Sequence, residues 1–233
     1  MEDTILISLI IAFVIAIPII RFTLRYNKYK NSNYYRNTQN SYWSVFGDNG
    51  KYGEYRLYQD LQSFELIGCK FLFNLYVPRD NSKTSEIDII MFHPKGLFVI
   101  ESKNYSGWIF GNESHKQWTQ TLPIGYGESH KERFYNPIMQ NSTHIRAIRK
   151  HIDDSIPIYS VIAFSDKCTL KDVTVKSNVI VTYYSNLARE IKYKLSTINN
   201  YSMDSELLNK TYNKLSQYAN VDEITKYKHI YNN

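Results

Sequence analysis

The chain has only two cysteines, Cys69 and Cys168, and neither lies in a Cys-x-x-Cys spacing. That excludes a disulfide scaffold and a cysteine-rich zinc site. They read as core thiols, which suits a reducing compartment. Glycine is scarce, with nine among 233 residues, and no Gly-rich nucleotide loop or P-loop is present. Such loops are needed where backbone N–H groups cradle phosphates. There is no internal repeat, which excludes a solenoid. The six histidines show no ligand spacing, and His144 and His151 read as surface or core residues of a helix. Positive charge is also in short supply for the folded body. The net charge is +6, but the first forty residues hold five basic and two acidic side chains, so only +3 remains for the rest. A balance that small does not by itself signal nucleic-acid binding.

One long apolar run is present. Residues 4–20 carry no charge and are almost entirely Ile, Leu, Val, Ala and Phe. Their length is near the lower limit of about 17 residues for a membrane helix. Phe22 and Leu24 extend it if Arg21 snorkels. A cleaved signal peptide normally has a basic start and a small-residue cleavage site. Here Glu2 and Asp3 make the start acidic and no Ala-x-Ala follows, so a retained anchor over 4–24 is expected. Arg21, Arg25, Lys28, Lys30 and Arg36 all follow the run. Basic residues stay on the cytoplasmic side. The expectation is a single-pass protein of the cell membrane, N-terminus outside and body in the cytoplasm. Residues 25–48, polar, aromatic and Asn-rich, read as a juxtamembrane linker.

The most unusual stretch is Glu86-Ile87-Asp88-Ile89-Ile90, then a turn, then Val99-Ile100-Glu101-Ser102-Lys103. Both segments are rich in β-formers, yet they carry charges that a core strand normally avoids. His93-Pro94-Lys95-Gly96 is a turn signal. A two-residue loop pairs His93 with Gly96, which puts Asp88 opposite Glu101 and Glu86 opposite Lys103. A three-residue loop with a bulge also suits Pro94 and Gly96 and shifts the pairing by one. Glu101 and Lys103 share a face in either register. Facing carboxylates repel unless a cation lies between them, and oxygen ligands suit a divalent metal. A surface hairpin with a solvated Asp and a Glu–Lys pair has the same pattern.

Upstream, Glu54, Leu57, Tyr58 and Leu61 fall on one helical face. Glu54 then either points toward the core or is a first-turn glutamate favoured by the helix dipole. Phe71-Leu72-Phe73-Asn74-Leu75-Tyr76-Val77 reads as a strand closed by Pro78, and 79–85 as a loop.

The ordered set Gly53-Glu54, Glu86-Ile87-Asp88, Ile100-Glu101-Ser102-Lys103-Asn104, Gly107-Trp108 and Asn136-Pro137-Ile138-Met139-Gln140 resembles the PD-(D/E)XK nuclease superfamily, and within it the nuclease-related domain family. Ile87 stands where the superfamily's named motif has Pro. The resemblance implies an α/β domain over 49–165, a mixed central sheet flanked by helices with a restriction-endonuclease-like core. It implies Asp88 and Glu101 as ligands of Mg²⁺ or Mn²⁺, with the Ser102 carbonyl as an extra ligand. On the same resemblance, the metal would activate a water and polarise the scissile phosphate. Lys103 orients that water or stabilises charge on the phosphate. The resemblance also implies that Glu54 supports the metal site and that Gln140 is an outer contact, an ordinary exposed helix residue being the other reading. The activity implied is hydrolysis of phosphodiester bonds in nucleic acid, with DNA as partner. The alternative is a non-catalytic, membrane-tethered module that binds nucleic acid or protein on the same fold.

The remaining chain yields less. Trp108-Ile109-Phe110 and Gln117-Trp118-Thr119 suggest a second hairpin, and 122–133 reads as a loop. A helix follows Pro137, with Ile145, Ile148 and Ile152 as its stripe and His144, Arg146, Arg149, Lys150 and His151 as a basic, solvated face. Strands are expected in 156–164 and within 173–184. Ser185 reads as the N-cap of a helix over 186–195. Asp204 or Ser205 starts a last helix to Tyr218. Region 166–233 thus supplies a C-terminal strand and helices that pack on or follow the core.

Overall fold

The structure, a computed structural model, describes residues 2–79, 83–219 and 221. Residues 80–82 of the expected loop, and most of the chain after 219, lie outside that set. Among the described residues, the α-helices are α1 Glu2–Lys30, α2 Asn33–Thr38, α3 Tyr42–Phe46, α4 Asn49–Leu61, α5 Pro137–Arg149, α6 Tyr184–Ser196 and α7 Ser205–Ser216. The strands among the described residues are β1 Lys70–Pro78, β2 Thr84–His93, β3 Gly96–Lys103, β4 Gly107–Asn112, β5 Gln117–Gly125, β6 Glu128–Tyr135, β7 Ile158–Phe164, β8 Cys168–Thr174 and β9 Ile180–Tyr183.

The central sheet has the order β1-β2-β3-β7-β9. Its first three strands are antiparallel, while β7 and β9 add in parallel. This is the mixed sheet flanked by helices that the sequence leads one to expect. Alternation along the strands supplies two cores. Ile89, Met91, Phe98 and Ile100 pack with Leu57 and Leu61 of α4 and Leu187 and Ile191 of α6. Ile90, Phe92, Leu97 and Val99 pack with Ile148 of α5 and Leu208 and Leu215 of α7. Each such side chain contributes about 1.5–3 kcal/mol when fully buried. Cys69 and Cys168 are free and buried.

The β2–β3 turn is the two-residue form, with His93 paired to Gly96. Gly96 has φ +131°, and a Cβ there would meet the Pro157 carbonyl oxygen at 2.7 Å. Only glycine serves at such a position. On the other side of β2, Asn74 interrupts the ladder with φ +51°. Its place in the register is opposite Asp88, and both strands change face there. Ile87 joins the core of Ile90 rather than that of Ile89, and Leu75 joins that of Leu72 rather than Phe73.

A second, four-stranded sheet has the order β6-β5-β4-β8. Trp118 and Ile109 on its inner face pack against Phe164 and Ile138. Residues 122–133 therefore form a hairpin rather than a loop. Residues 123–133 are all exposed, so no apolar alternation marks these strands. Helix α6 begins at Tyr184, one residue before the expected cap, and the Ser185 hydroxyl bonds Asp166 instead. The last helix is capped by Asp204, whose carboxylate accepts from Leu207 N–H.

Residues 25–48 are not a loose linker. Helix α1 runs on to Lys30, and α2 and α3 fold back, so that Tyr29, Tyr34 and Val45 are fully buried against α4 and β1. Polar Asn and Ser mask an aromatic stripe that is large enough to extend the core. Most large apolar side chains of α1 between Ile5 and Leu24 are exposed, among them Leu9, Phe13, Ile19 and Leu24.

Candidate active site

The chain's acidic and basic motif residues converge where β3 leaves β2. The β2–β3 ladder ends at Ile89 with Ile100, but β3 stays paired to β7 as far as Lys103 with Phe164. The freed Ser102 N–H donates to Asp88 Oδ2 at 2.7 Å. A carboxylate side chain thus replaces a ladder carbonyl, and it ties Asp88 to the Glu101–Lys103 segment.

Glu101 is buried. Its Oε1 accepts Lys103 Nζ at 2.7 Å, and its Oε2 lies 3.2 Å from His144 Nε2. Lys103 Nζ also donates to Gln140 Oε1 at 3.0 Å. Burial pushes the Glu101 carboxyl up, but the Lys103 ammonium and His144 outweigh it and hold it below its ordinary value. Burial pushes Asp88 well above the carboxylate range, and the Glu101 and Glu54 carboxylates add to the effect. Burial also draws Lys103 down, yet Glu101 and Asp88 leave it above its ordinary value. Two neighbouring acids are therefore pushed in opposite directions, a mark of sites with divided roles.

Helix α5 presents Gln140 and His144 on one face, four residues apart. Its start is fixed by Asn136. That side chain accepts from Ile138 N–H at 2.9 Å and donates to the carbonyls of Glu113 and His115 at 2.9 and 2.7 Å. Asn141 Nδ2 donates to Val99 O and Ser160 Oγ, both at 2.9 Å, and so docks α5 over the β3–β7 seam. A cavity of about 310 Å³ opens beside the group, lined by Arg79, Thr84, Ser85, Glu86, Asp88, Gln140 and His144.

Glu54 comes from the other side, on α4. Burial pushes its carboxyl up to about 8, with Glu86 adding, against hydrogen bonds from Asn74 and Tyr34. Tyr34 OH donates to it at 3.1 Å. Gly53 lets α4 approach: a Cβ there would meet Tyr184 OH at 2.8 Å and Asn104 Cβ at 3.0 Å. Tyr184 OH in turn pairs with Ser102 Oγ at 2.7 Å. Glu86 does not meet Lys103 as its register position suggests; it accepts from Tyr76 OH at 2.7 Å.

Among the described residues, no three His, Cys, Asp or Glu side chains form a ready-made metal cage. Asp88 and Glu101 supply two carboxylates, which suits a cation that keeps most of its waters, as Mg²⁺ does. Burial raises the proton affinity of Asp88 and the Glu101 and Glu54 carboxylates add to it; a divalent ion would offset that negative charge. The donor set therefore fits a hard, oxygen-preferring cation.

Residues 49–165 match the profile of the nuclease-related domain. This chain belongs to the nuclease-related domain family. It is also 38% identical over 144 residues to an uncharacterized protein of Bacillus anthracis. That match covers 61% of this chain, which spans 66% of the relative's length. No solved structure matches.

Within this nuclease-related domain the structure brings Asp88, Glu101, Ser102, Lys103 and Gln140 together, with Glu54 behind them. Two further participants escape a reading of the sequence. His144 is buried on Glu101 rather than on a solvated basic face; its spacing of four from Gln140 is the signal that marks it. Asn74 looks like an ordinary strand residue, and nothing local announces its positive φ.

Proposed function

We propose that this nuclease-related domain is a metal-dependent nuclease that hydrolyses phosphodiester bonds in DNA. The observation that carries this reading is the meeting of Asp88 and Glu101 on diverging strands, with Lys103 2.7 Å from Glu101 and 3.0 Å from Gln140. In it, Asp88, Glu101 and the Ser102 carbonyl would hold Mg²⁺ or Mn²⁺. When bound, the cation supplies Lewis acidity at the scissile phosphate. Lys103, braced by Gln140, orients the attacking water and offsets charge that builds on the phosphate oxygens. Glu54 supports the acidic pair from α4.

The second sheet supports nucleic acid as the partner. Paired residues share a face, so Lys131, Arg133 and Tyr135 of β6 lie with Trp108 of β4 on its outer side. All four are exposed, and Lys171 Nζ lies 5.9 Å from the Trp108 ring. Cations interleaved with aromatic rings suit phosphates and bases. β4 begins at Gly107, four residues after Lys103, so the second sheet is joined to the acidic site by a short connection.

Helix α1 supports attachment to a membrane as a single-pass anchor, with the domain on the cytoplasmic side. Its 28-residue span from Asp3 to Lys30 is apolar enough to cross a bilayer, and basic residues follow the apolar run.

The test is thermal unfolding of the whole chain with millimolar Mg²⁺ or Mn²⁺. A specific site raises the midpoint by mass action, and Asp88→Asn is expected to abolish the rise. No shift in the wild type, with or without DNA present, would instead favour a non-catalytic binding module.

A further inference from the structure

At the foot of α1 a cavity of about 280 Å³ is lined by Arg25 and Lys28 of α1, Phe46 of α3, and Tyr52, Tyr55, Arg56 and Gln59 of α4. Three cations converge there from two helices. Among the described residues none of the three is in an ion pair within 4 Å. Two carboxylates are near enough to interact, Asp60 with Arg56 and Lys28 and Asp166 with Arg56, so one positive charge remains in excess. We infer that this cavity binds the phosphate of an anionic phospholipid headgroup.

The level of the cavity selects a lipid. Arg25 and Lys28 lie one and four residues past Leu24, the end of the expected anchor. At 1.5 Å per residue those are about 1.5 and 6 Å along the axis, within the polar layer of a bilayer, which is roughly 5–7 Å thick on each side. Aromatic side chains mark the same level. Phe22 stacks on Trp43 at 5.7 Å and meets Tyr42 at 5.6 Å, and Trp43 is 70% exposed. Exposed Trp beside a long apolar helix is the pattern of a membrane interface. Arg and Lys there face phosphate rather than hydrocarbon. Lipid bound in this cavity would touch α4 within one turn of Glu54.

The inference rests on α1 being a retained span, and two measurements separate the two. Membranes carrying the whole chain are washed with alkaline carbonate; a chain that washes off defeats the span, and the inference with it. The purified whole chain in neutral detergent is then melted with phosphatidylglycerol, phosphatidylcholine or inorganic phosphate. Phosphatidylglycerol alone is expected to raise the midpoint. Arg25→Gln/Lys28→Gln/Arg56→Gln is expected to lose that rise, while Lys176→Gln/Lys210→Gln/Lys214→Gln keeps it. If the first triple variant does not fold, native mass spectrometry of the wild type decides. Retained phosphatidylglycerol adducts with no phosphatidylcholine adducts support the site. Equal response to both lipids, an equal rise with inorganic phosphate, or an undiminished rise in the folded variant would overturn it.

Discussion

His144 Nε2 stands 3.2 Å from Glu101 Oε2, the carboxylate oxygen that Lys103 does not take. The two residues are 43 apart in sequence and both are buried. His144→Ala therefore strips one partner from a buried carboxylate. A loss of about 1–3 kcal/mol is expected, read from the urea midpoint. His144→Asn is expected to recover part of it, because a carboxamide N–H can still donate. An unchanged midpoint in the alanine variant would mean the contact carries no stability.

Gly53→Ala tests the approach of α4 to the site. In an open helix the change would gain up to about 1 kcal/mol. Here the new methyl would lie 2.8 Å from Tyr184 OH and 3.0 Å from Asn104 Cβ. Overpacking of about 1–3 kcal/mol is expected to win. Tyr184→Phe removes the first clashing atom, so the double variant is expected to be more stable than the sum of the two single effects. Strict additivity of the two changes would contradict the contact.

The pH dependence of stability follows from Glu54, whose carboxyl is pushed up to about 8 from its ordinary 4.5 by burial. Between those values the folded chain holds a proton that the unfolded chain has released. The stability from this group is fully present below pH about 4.5 and is lost as pH rises through about 8. Glu54→Gln, neutral throughout, is expected to flatten the decline in unfolding free energy between pH 5 and 8. Asp88 is pushed the same way, so some slope remains. A slope equal to that of the wild type would contradict the buried, proton-holding Glu54.

Lys131→Gln/Arg133→Gln is expected to weaken DNA binding and to lower the dependence of log affinity on log salt by about 1 for each phosphate left unneutralised. The metal-induced rise in melting midpoint is expected to stay. Fluorescence anisotropy at several salt concentrations checks the first, calorimetry the second. Unchanged affinity and slope would remove the second sheet from the substrate path.

The parts legible in the sequence are those where local pattern and tertiary role agree. β-Branched runs mark β2, β3 and β7, and Pro94-Lys95 is short enough to set the register that brings Asp88 beside Glu101. The stripe of Leu57, Tyr58 and Leu61 marks α4. Where the pattern misleads, tertiary context decides. Residues 129–133 alternate charges instead of apolar residues, since the β5–β6 hairpin stands in solvent. Tyr29, Tyr34 and Tyr42 build core inside a segment whose Asn and Ser content looks like a linker. His144 sits among basic residues, yet the turn of α5 carries it inward. The face change at Asn74 depends on the whole sheet.

The central claim is metal-dependent cleavage through the Asp88–Glu101–Lys103 group. Because Tyr29, Tyr34 and Tyr42 belong to the core, the measurement uses the whole chain in detergent. Linear, nicked and single-stranded DNA and RNA are offered with Mg²⁺, with Mn²⁺ and with chelator. Cleavage is expected to need the metal, to be lost in Glu101→Ala, and to be lost in Lys103→Ala while the metal still raises the melting midpoint of that variant. Cleavage by Lys103→Ala at the wild-type rate, or none by folded wild type on any substrate, would contradict that claim.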